Sequence, residues 1–175
     1  MLRLILSDLR AKAAWVYGDA SRRNVVKALL TDGTPAMLWY RAMQWSRKHG
    51  LTPLEMICNK IIVVGCGCVI GRGVEFGPGL VFVHSVGIVI NGRIRGGSHV
   101  TIEHQVTIAA EPGQTHTIGD HVYLGAGAKI LAAVGSHCRV GANAVVVHPV
   151  PDHVTAVGVP ARFVTRGPVP PAAQA

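Results

Sequence analysis

Large apolar residues recur every six positions through the second part of the chain: Val64, Ile70, Phe76, Phe82, Ile88, Ile94, Val100 and Val106. Ile118, Leu124 and Ile130 resume the pattern, and after a two-residue deficit Val134, Val140 and Val146 continue it. Gly65, Gly71, Gly77, Gly119, Gly125, Gly135 and Gly141 each follow one of these apolar residues. A period of six belongs neither to an amphipathic helix nor to a plain alternating strand. It fits a solenoid in which each flat side takes about six residues and three sides close one triangular coil. The large residue of each repeat then points inward, where stacked coils exclude water, and the glycines permit tight corners. The expected fold class is mainly β, a parallel β-helix with a short α-helical N-terminal region.

The rhythm sets the domain boundaries. Residues 1–59 are read as a short helical region, 60–149 as the β-helix with a projecting loop at 109–117, and 150–175 as a C-terminal tail with disordered last residues. Leu2, Ile5, Leu6 and Leu9 follow one face of a first helix. Asp19 or Ser21 caps a second through Val25, Val26, Leu29 and Leu30, with Asp32-Gly33 as its stop. Pro35 opens a third carrying Leu38, Trp39, Ala42, Met43 and Trp45, and Thr52-Pro53 begins a last short one. Helices this short lack a core of their own, so they are expected to cap the first coil.

Composition narrows the function classes. The chain is 49% hydrophobic and only 15% charged, which predicts that other chains cover much of its surface. No apolar run reaches the length of a membrane span, and Met1 to Leu9 is broken by Arg3 and Asp8, so a cytoplasmic protein with no membrane partner is expected. Cys66 and Cys68 form a C-x-C rather than a zinc spacing. Together with Cys58 and Cys138 they are read as free, mostly buried thiols, with no metal. The net charge of +8 comes without an aromatic-interleaved basic stripe or a helix-turn-helix pattern, so no nucleic-acid partner is expected. A phosphate-rich ligand suits the basic tail equally well.

Among nine histidines, His84 stands out inside the apolar stretch Phe82-Val83-His84-Ser85-Val86-Gly87. A neutral imidazole there can take the proton of a hydroxyl as its oxygen attacks a thioester carbonyl. His104 lies about one coil beyond it and His116 in the projecting loop. Glu103 or Glu111 could orient a base, and spacing does not select between them. His49 suits a helix end, while His99, His121 and His137 occupy turn-like positions with a structural role. The chain has no G-x-S-x-G elbow, P-loop or H-E-x-x-H.

Three stretches carry a more specific signal: Phe76 through Ile90, Gly125-Ala126-Gly127-Ala128-Lys129-Ile130-Leu131, and Pro149-Val150-Pro151 through Ala156-Val157-Gly158-Val159-Pro160-Ala161-Arg162. In order and spacing the chain resembles the serine O-acetyltransferase branch of the hexapeptide-repeat acyltransferases, whose fold is a left-handed parallel β-helix. The resemblance implies direct acetyl transfer from acetyl-CoA, a cosubstrate rather than a resident cofactor, to the hydroxyl of a small acceptor such as L-serine. It implies a homotrimer with intersubunit sites. It implies His84 as general base with His116 as a second catalytic histidine, and Asp19 in acceptor binding; His104 is a further candidate for contact with the acceptor. Gly125, Ala126, Gly127 and Lys129 would line the pantetheine, with Arg162 and Arg166 at the cofactor's phosphates.

The same resemblance exposes three departures. Val83 stands where the family commonly has the aspartate before the catalytic histidine, Val69 near the position of the carboxylate that orients the base, and Asn91-Gly92 in place of Gly-Glu. Two alternatives follow from these losses: an acyltransferase of the same fold acting on a sugar, an amine or a natural-product intermediate, and an inactive solenoid serving assembly or regulation.

Overall fold

Ile70, Ile90, Ile108, Ile130 and Val146 stand in one line of register, all buried, and they define the interior of a parallel β-solenoid. The computed structural model describes residues 1–91, 93–110 and 114–165. Numbered in chain order, the strands of the first face are β1 (Val69–Ile70), β4 (Val89–Ile90), β7 (Thr107–Ile108), β10 (Lys129–Ile130) and β12 (Val145–Val146). The second face stacks β2 (Glu75–Phe76), β5 (Arg93–Gly96) and β8 (Thr115–Ile118). The third holds β3 (Val81–Phe82), β6 (Thr101–Ile102), β9 (Tyr123–Leu124), β11 (Arg139–Val140) and β13 (Val154–Val157), with β14 (Arg162–Thr165) folded back antiparallel on β13.

The six-residue spacing holds on most sides, but one of its steps is corrected. Phe82 and Ile88 are six apart yet belong to different lines, because the residue in register with Ile70 is Ile90. The corner after β3 is therefore longer by two residues than the equivalent corner between β6 and β7, and those extra residues fall around His84. The deficit between Ile130 and Val134 recurs between Val146 and Val150. There the second face shrinks to single bridges, Ile118 to Val134 and Val134 to Val150, so the last coils have one short side. One inward position on the second face is Gly96, in register with Phe76. A Cβ at Gly96 would come within 1.9 Å of the Phe76 ring, so the glycine makes room for the large side chain beneath it.

The helical region comprises α1 (Leu2–Tyr17), α2 (Arg22–Ala28), α3 (Thr34–Lys48) and α4 (Thr52–Cys66). The boundary expected at residue 60 is corrected: it falls inside α4, which ends only where Gly67 takes a left-handed conformation, φ 63°. Val64 lies on that helix with 84% of its surface exposed and is not a solenoid residue. The face of α1 is also rotated from the apolar stripe. It buries Asp8, Leu9, Lys12 and Ala13, while Leu2 and Leu6 are exposed. Polar residues face inward because each finds partners there. Asp8 forms a two-point ion pair with Arg41 of α3 (2.6 and 3.0 Å) and accepts the Gly79 and Leu80 N–H groups, and Arg41 donates to the Phe76 and Gly77 carbonyls. Burial still holds the Asp8 carboxyl above its ordinary range, despite the guanidinium beside it. Tyr40 extends the junction, its hydroxyl accepting the Phe76 N–H and donating to the Val74 carbonyl.

The tail is also more structured than a simple departure from the repeat, because Val150 bridges Val134 and β13 stacks on β11 as part of the last coil. Residues 166–175, including Arg166, lie outside the described residues, as do Glu111, Pro112 and Gly113 of the projecting loop. The end of that loop, from Thr115, is strand β8 in register with β5. Along one corner His99, His121, His137 and His153 stack ring on ring with centroids 4.8 to 4.9 Å apart, all in left-handed backbone conformations. Among the described residues no helix is long and apolar enough to cross a membrane.

Candidate active site

The lengthened corner between β3 and β4 presents His84, Ser85 and Val86 beside the connection from α2 to α3. Between them lies a cleft of about 880 Å³ lined by residues that include Leu30, Asp32, Cys66, His84, Val86 and His104. Ser85 donates to the Cys66 carbonyl (2.8 Å), which fixes the corner to the end of α4. The imidazole of His84 is half exposed, with Nδ1 3.2 Å from Oδ2 of Asp32 and its ring 6.0 Å from that of His104. His104 Nδ1 is buried without a hydrogen-bond partner among the described residues, and Oε2 of Glu103 lies 3.7 Å away.

The backbone around this pair is clamped. Lys12 is fully buried, and its ammonium donates to three carbonyls, those of Asp32, Phe82 and Val83 (2.8 Å for the last). All three of its protons are therefore engaged. Gly33 adopts a left-handed conformation, φ 78°, against the Phe82 carbonyl. A Cβ there would approach that oxygen to 2.3 Å, so any side chain would push the connection away from β3. Burial lowers the Lys12 pKa from its ordinary 10.5 to about 8, with Asp32 and Glu103 opposing the shift. Below about pH 8 the amine is protonated folded or unfolded. As pH rises from about 8 toward 10.5 the unfolded chain keeps a proton that the folded chain has released, so this group's contribution to stability rises with pH. The melting-temperature gap between wild type and Lys12→Met is expected to widen across that interval. A gap that stays flat in thermal melts would show that the amine is not held below its ordinary range.

Several sequence-predicted residues gather on one edge of the prism. His84 starts it. His104 follows one coil on, where the Gln105 N–H bonds the Val86 carbonyl. The Gly125–Lys129 turn comes next, its Gly127 N–H bonded to the His104 carbonyl (2.9 Å) and its Lys129 ammonium to that of Gln105 (2.9 Å). Asn143 then bonds Ala126, and the turn leading to Arg162 closes the edge through Ala161 N–H to the Val145 carbonyl. Two predicted residues lie elsewhere in the single chain. His116 is on β8, in register with Ile94 of the second face. Asp19 is exposed and accepts from the Ser21 N–H (2.7 Å) and the Asn24 amide (3.0 Å), bonds that organise the start of α2; the Ser21 hydroxyl first, then these bonds, hold its carboxyl below the usual range. Neither lines the His84 cleft. Sequence reasoning missed the roles of Asp32, read only as a helix stop, and of Lys12. The one signal for Lys12 was its place three residues after Leu9 on α1.

An open edge of this kind suits an elongated ligand whose reactive end meets an imidazole. No protein-family model matches the sequence. The serine acetyltransferase of Helicobacter pylori strain J99 is 36% identical over 155 residues, spanning 85% of this chain and 91% of that protein. A solved serine acetyltransferase in complex with CoA superposes with a TM-score of 0.78 at 28% identity, covering 91% of this chain and 68% of the other. Soybean serine acetyltransferase complexed with serine gives 0.77 at 31% identity over 92% and 68%. The chain belongs to the serine acetyltransferase family.

Proposed function

We propose that this protein transfers the acetyl group of acetyl-CoA to the hydroxyl of L-serine, with His84 as general base. The observation that carries the reading is the alignment of His84, His104 and the Gly125–Lys129 turn on one edge beside the cleft. The CoA- and serine-bound relatives support the two substrates. With Nδ1 engaged by Asp32, Nε2 of His84 takes the proton of the acceptor hydroxyl. The oxygen attacks the thioester carbonyl, the carbon–sulfur bond breaks, and the imidazolium returns the proton to the departing thiolate. The thioester is already activated, so the chemistry asks for no metal. Gly125, Ala126, Gly127 and Lys129 run beside the pantetheine arm, and Arg162, exposed at the end of the edge, meets the phosphates, with Arg166 as a further candidate. A homotrimer brings His116 and Asp19 of one subunit toward the cleft of its neighbour.

A second reading, a hydroxylated acceptor without an ammonium group, is favoured by one feature. Among the described residues lining the cleft Asp32 is the only carboxylate, and it faces His84. Purified protein with acetyl-CoA and a panel of serine, homoserine and hydroxylated sugars, followed by CoA release and product mass, tests both. O-acetylserine is the expected product. An acetylated sugar with no serine product would transfer the assignment to the second reading, and no CoA release with any acceptor would overturn acetyl transfer.

A further inference from the structure

Positions 69 and 83 of the solenoid, the latter next to His84, are valines, and among the described residues it is the helical cap that brings a carboxylate to the imidazole. We propose that Asp32 is the positioning residue for His84, and that Lys12 holds the two backbone segments at the spacing this contact requires. The inference rests on the reading of His84 as the base.

Three observations carry it. The first is the contact itself. Asp32 Oδ2 lies 3.2 Å from His84 Nδ1 across 52 residues of sequence, so it is a tertiary feature and not a by-product of local chain geometry. A carboxylate accepting from Nδ1–H selects the tautomer whose Nε2 carries the lone pair, the form a base needs. The second is the clamp. The two side chains are 52% and 81% exposed in the single chain, and a pair so exposed fixes little by mutual attraction alone. Their backbones are held instead. The Lys12 ammonium bonds the carbonyl of Asp32 on one side and those of Phe82 and Val83, the two residues before His84, on the other. Gly33 sits against the Phe82 carbonyl, and Met37 Sδ accepts the Phe82 N–H (3.4 Å). Thr31 and Thr34 both donate to the Ala28 carbonyl (2.8 and 2.7 Å), which stiffens the connection that carries Asp32. Each side chain is thus short and set on a fixed root.

The third observation concerns the rival carboxylate. Glu103 lies one coil away, where its carboxylate accepts from the Tyr123 hydroxyl (3.4 Å) and faces Nδ1 of His104 (3.7 Å). It serves the neighbouring histidine and leaves Asp32 as the carboxylate paired with His84. The cap therefore contributes directly to the order of the reaction centre, in addition to closing the first coil.

The test compares Asp32→Ala and Asp32→Asn, each made in wild type and in a His84→Ala background. Steady-state kinetics are measured with acetyl-CoA and the acceptor found in the panel, and the 15N spectrum of the His84 ring is recorded alongside. In wild type, Asp32→Ala should lower kcat on the order of tenfold to a hundredfold, less than loss of the base itself, with the KM for acetyl-CoA within about twofold. In the His84→Ala background the same substitution should change kcat by less than about twofold, because the residue acts only through the imidazole. The ring spectrum should show one tautomer, protonated at Nδ1, in wild type and a mixture in Asp32→Ala. Asp32→Asn, nearly the same shape, serves if the alanine variant folds poorly. An unchanged ring spectrum, or an equal kcat loss with and without His84, overturns the positioning role. If instead His84→Ala keeps full turnover while the ring spectrum still responds to Asp32, it is the base reading that fails.

Discussion

His84→Ala is expected to lower kcat by roughly 10²–10⁴-fold, the range that a positioned general base contributes. The imidazole is half exposed and its one described hydrogen bond is to Asp32, so its removal leaves no buried group unpaired. The variant should therefore melt within a few degrees of wild type and retain its KM for acetyl-CoA, because the residues proposed to hold that cosubstrate lie further along the edge. Loss of turnover together with loss of fold would point to a structural histidine. Turnover within about tenfold of wild type would remove His84 from the base role.

Arg41→Met is expected to have the largest effect on stability. Arg41 is 1% exposed and donates to Asp8, Gln44 and the carbonyls of Phe76 and Gly77, joining α1 and α3 to the first coil. Methionine fills much of the volume but strands the Asp8 carboxylate among apolar groups with only two backbone N–H donors left. Breaking one side of a buried pair costs about 3–5 kcal/mol, and urea unfolding should show a loss of that size at neutral pH. The sign of its pH dependence follows from Asp8. Burial already raises its carboxyl above 3.8, and loss of the guanidinium raises it further. A folded-state pKa above the unfolded value gives stability that is present at low pH and lost as pH rises. The deficit of the variant should therefore narrow as pH falls toward Asp8's ordinary 3.8. A deficit independent of pH would mean that lost packing, and not a stranded charge, is responsible.

The solenoid was legible because burial on stacked coils repeats, and repetition survives in composition: Ile70, Phe76, Phe82, Leu124, Ile130 and Val140 all occupy the interior that their spacing predicts. The reading slipped where a local insertion preserved the count. Phe82 to Ile88 is six residues, yet the register passes to Ile90, and one-dimensional spacing has no means of separating a side from a side plus a two-residue bulge. The end of α4 was lost for a similar reason, since Val64 matched the repeat while sitting on an exposed helical face. For the site, the histidine and the glycine-rich turn were visible as motifs. Asp32 and Lys12 were not, because their meaning depends on contacts across 52 and 70 residues that carry no local pattern. A lysine turned inward looks like an interruption of an apolar stripe until its three carbonyl partners are known.

The Lys12 clamp also bears on how such a prism can evolve. Coils are interchangeable units, and duplicating one lengthens the scaffold at little risk because each needs only neighbours of the same shape. The imidazole corner is different, since its partner and its clamp come from a cap that the chain possesses once. Copying the coil that carries His84 would yield a longer prism with a second histidine and still a single clamped imidazole–carboxylate pair. Growth of the scaffold and multiplication of this pairing are therefore uncoupled in this architecture, and the cap sets the count.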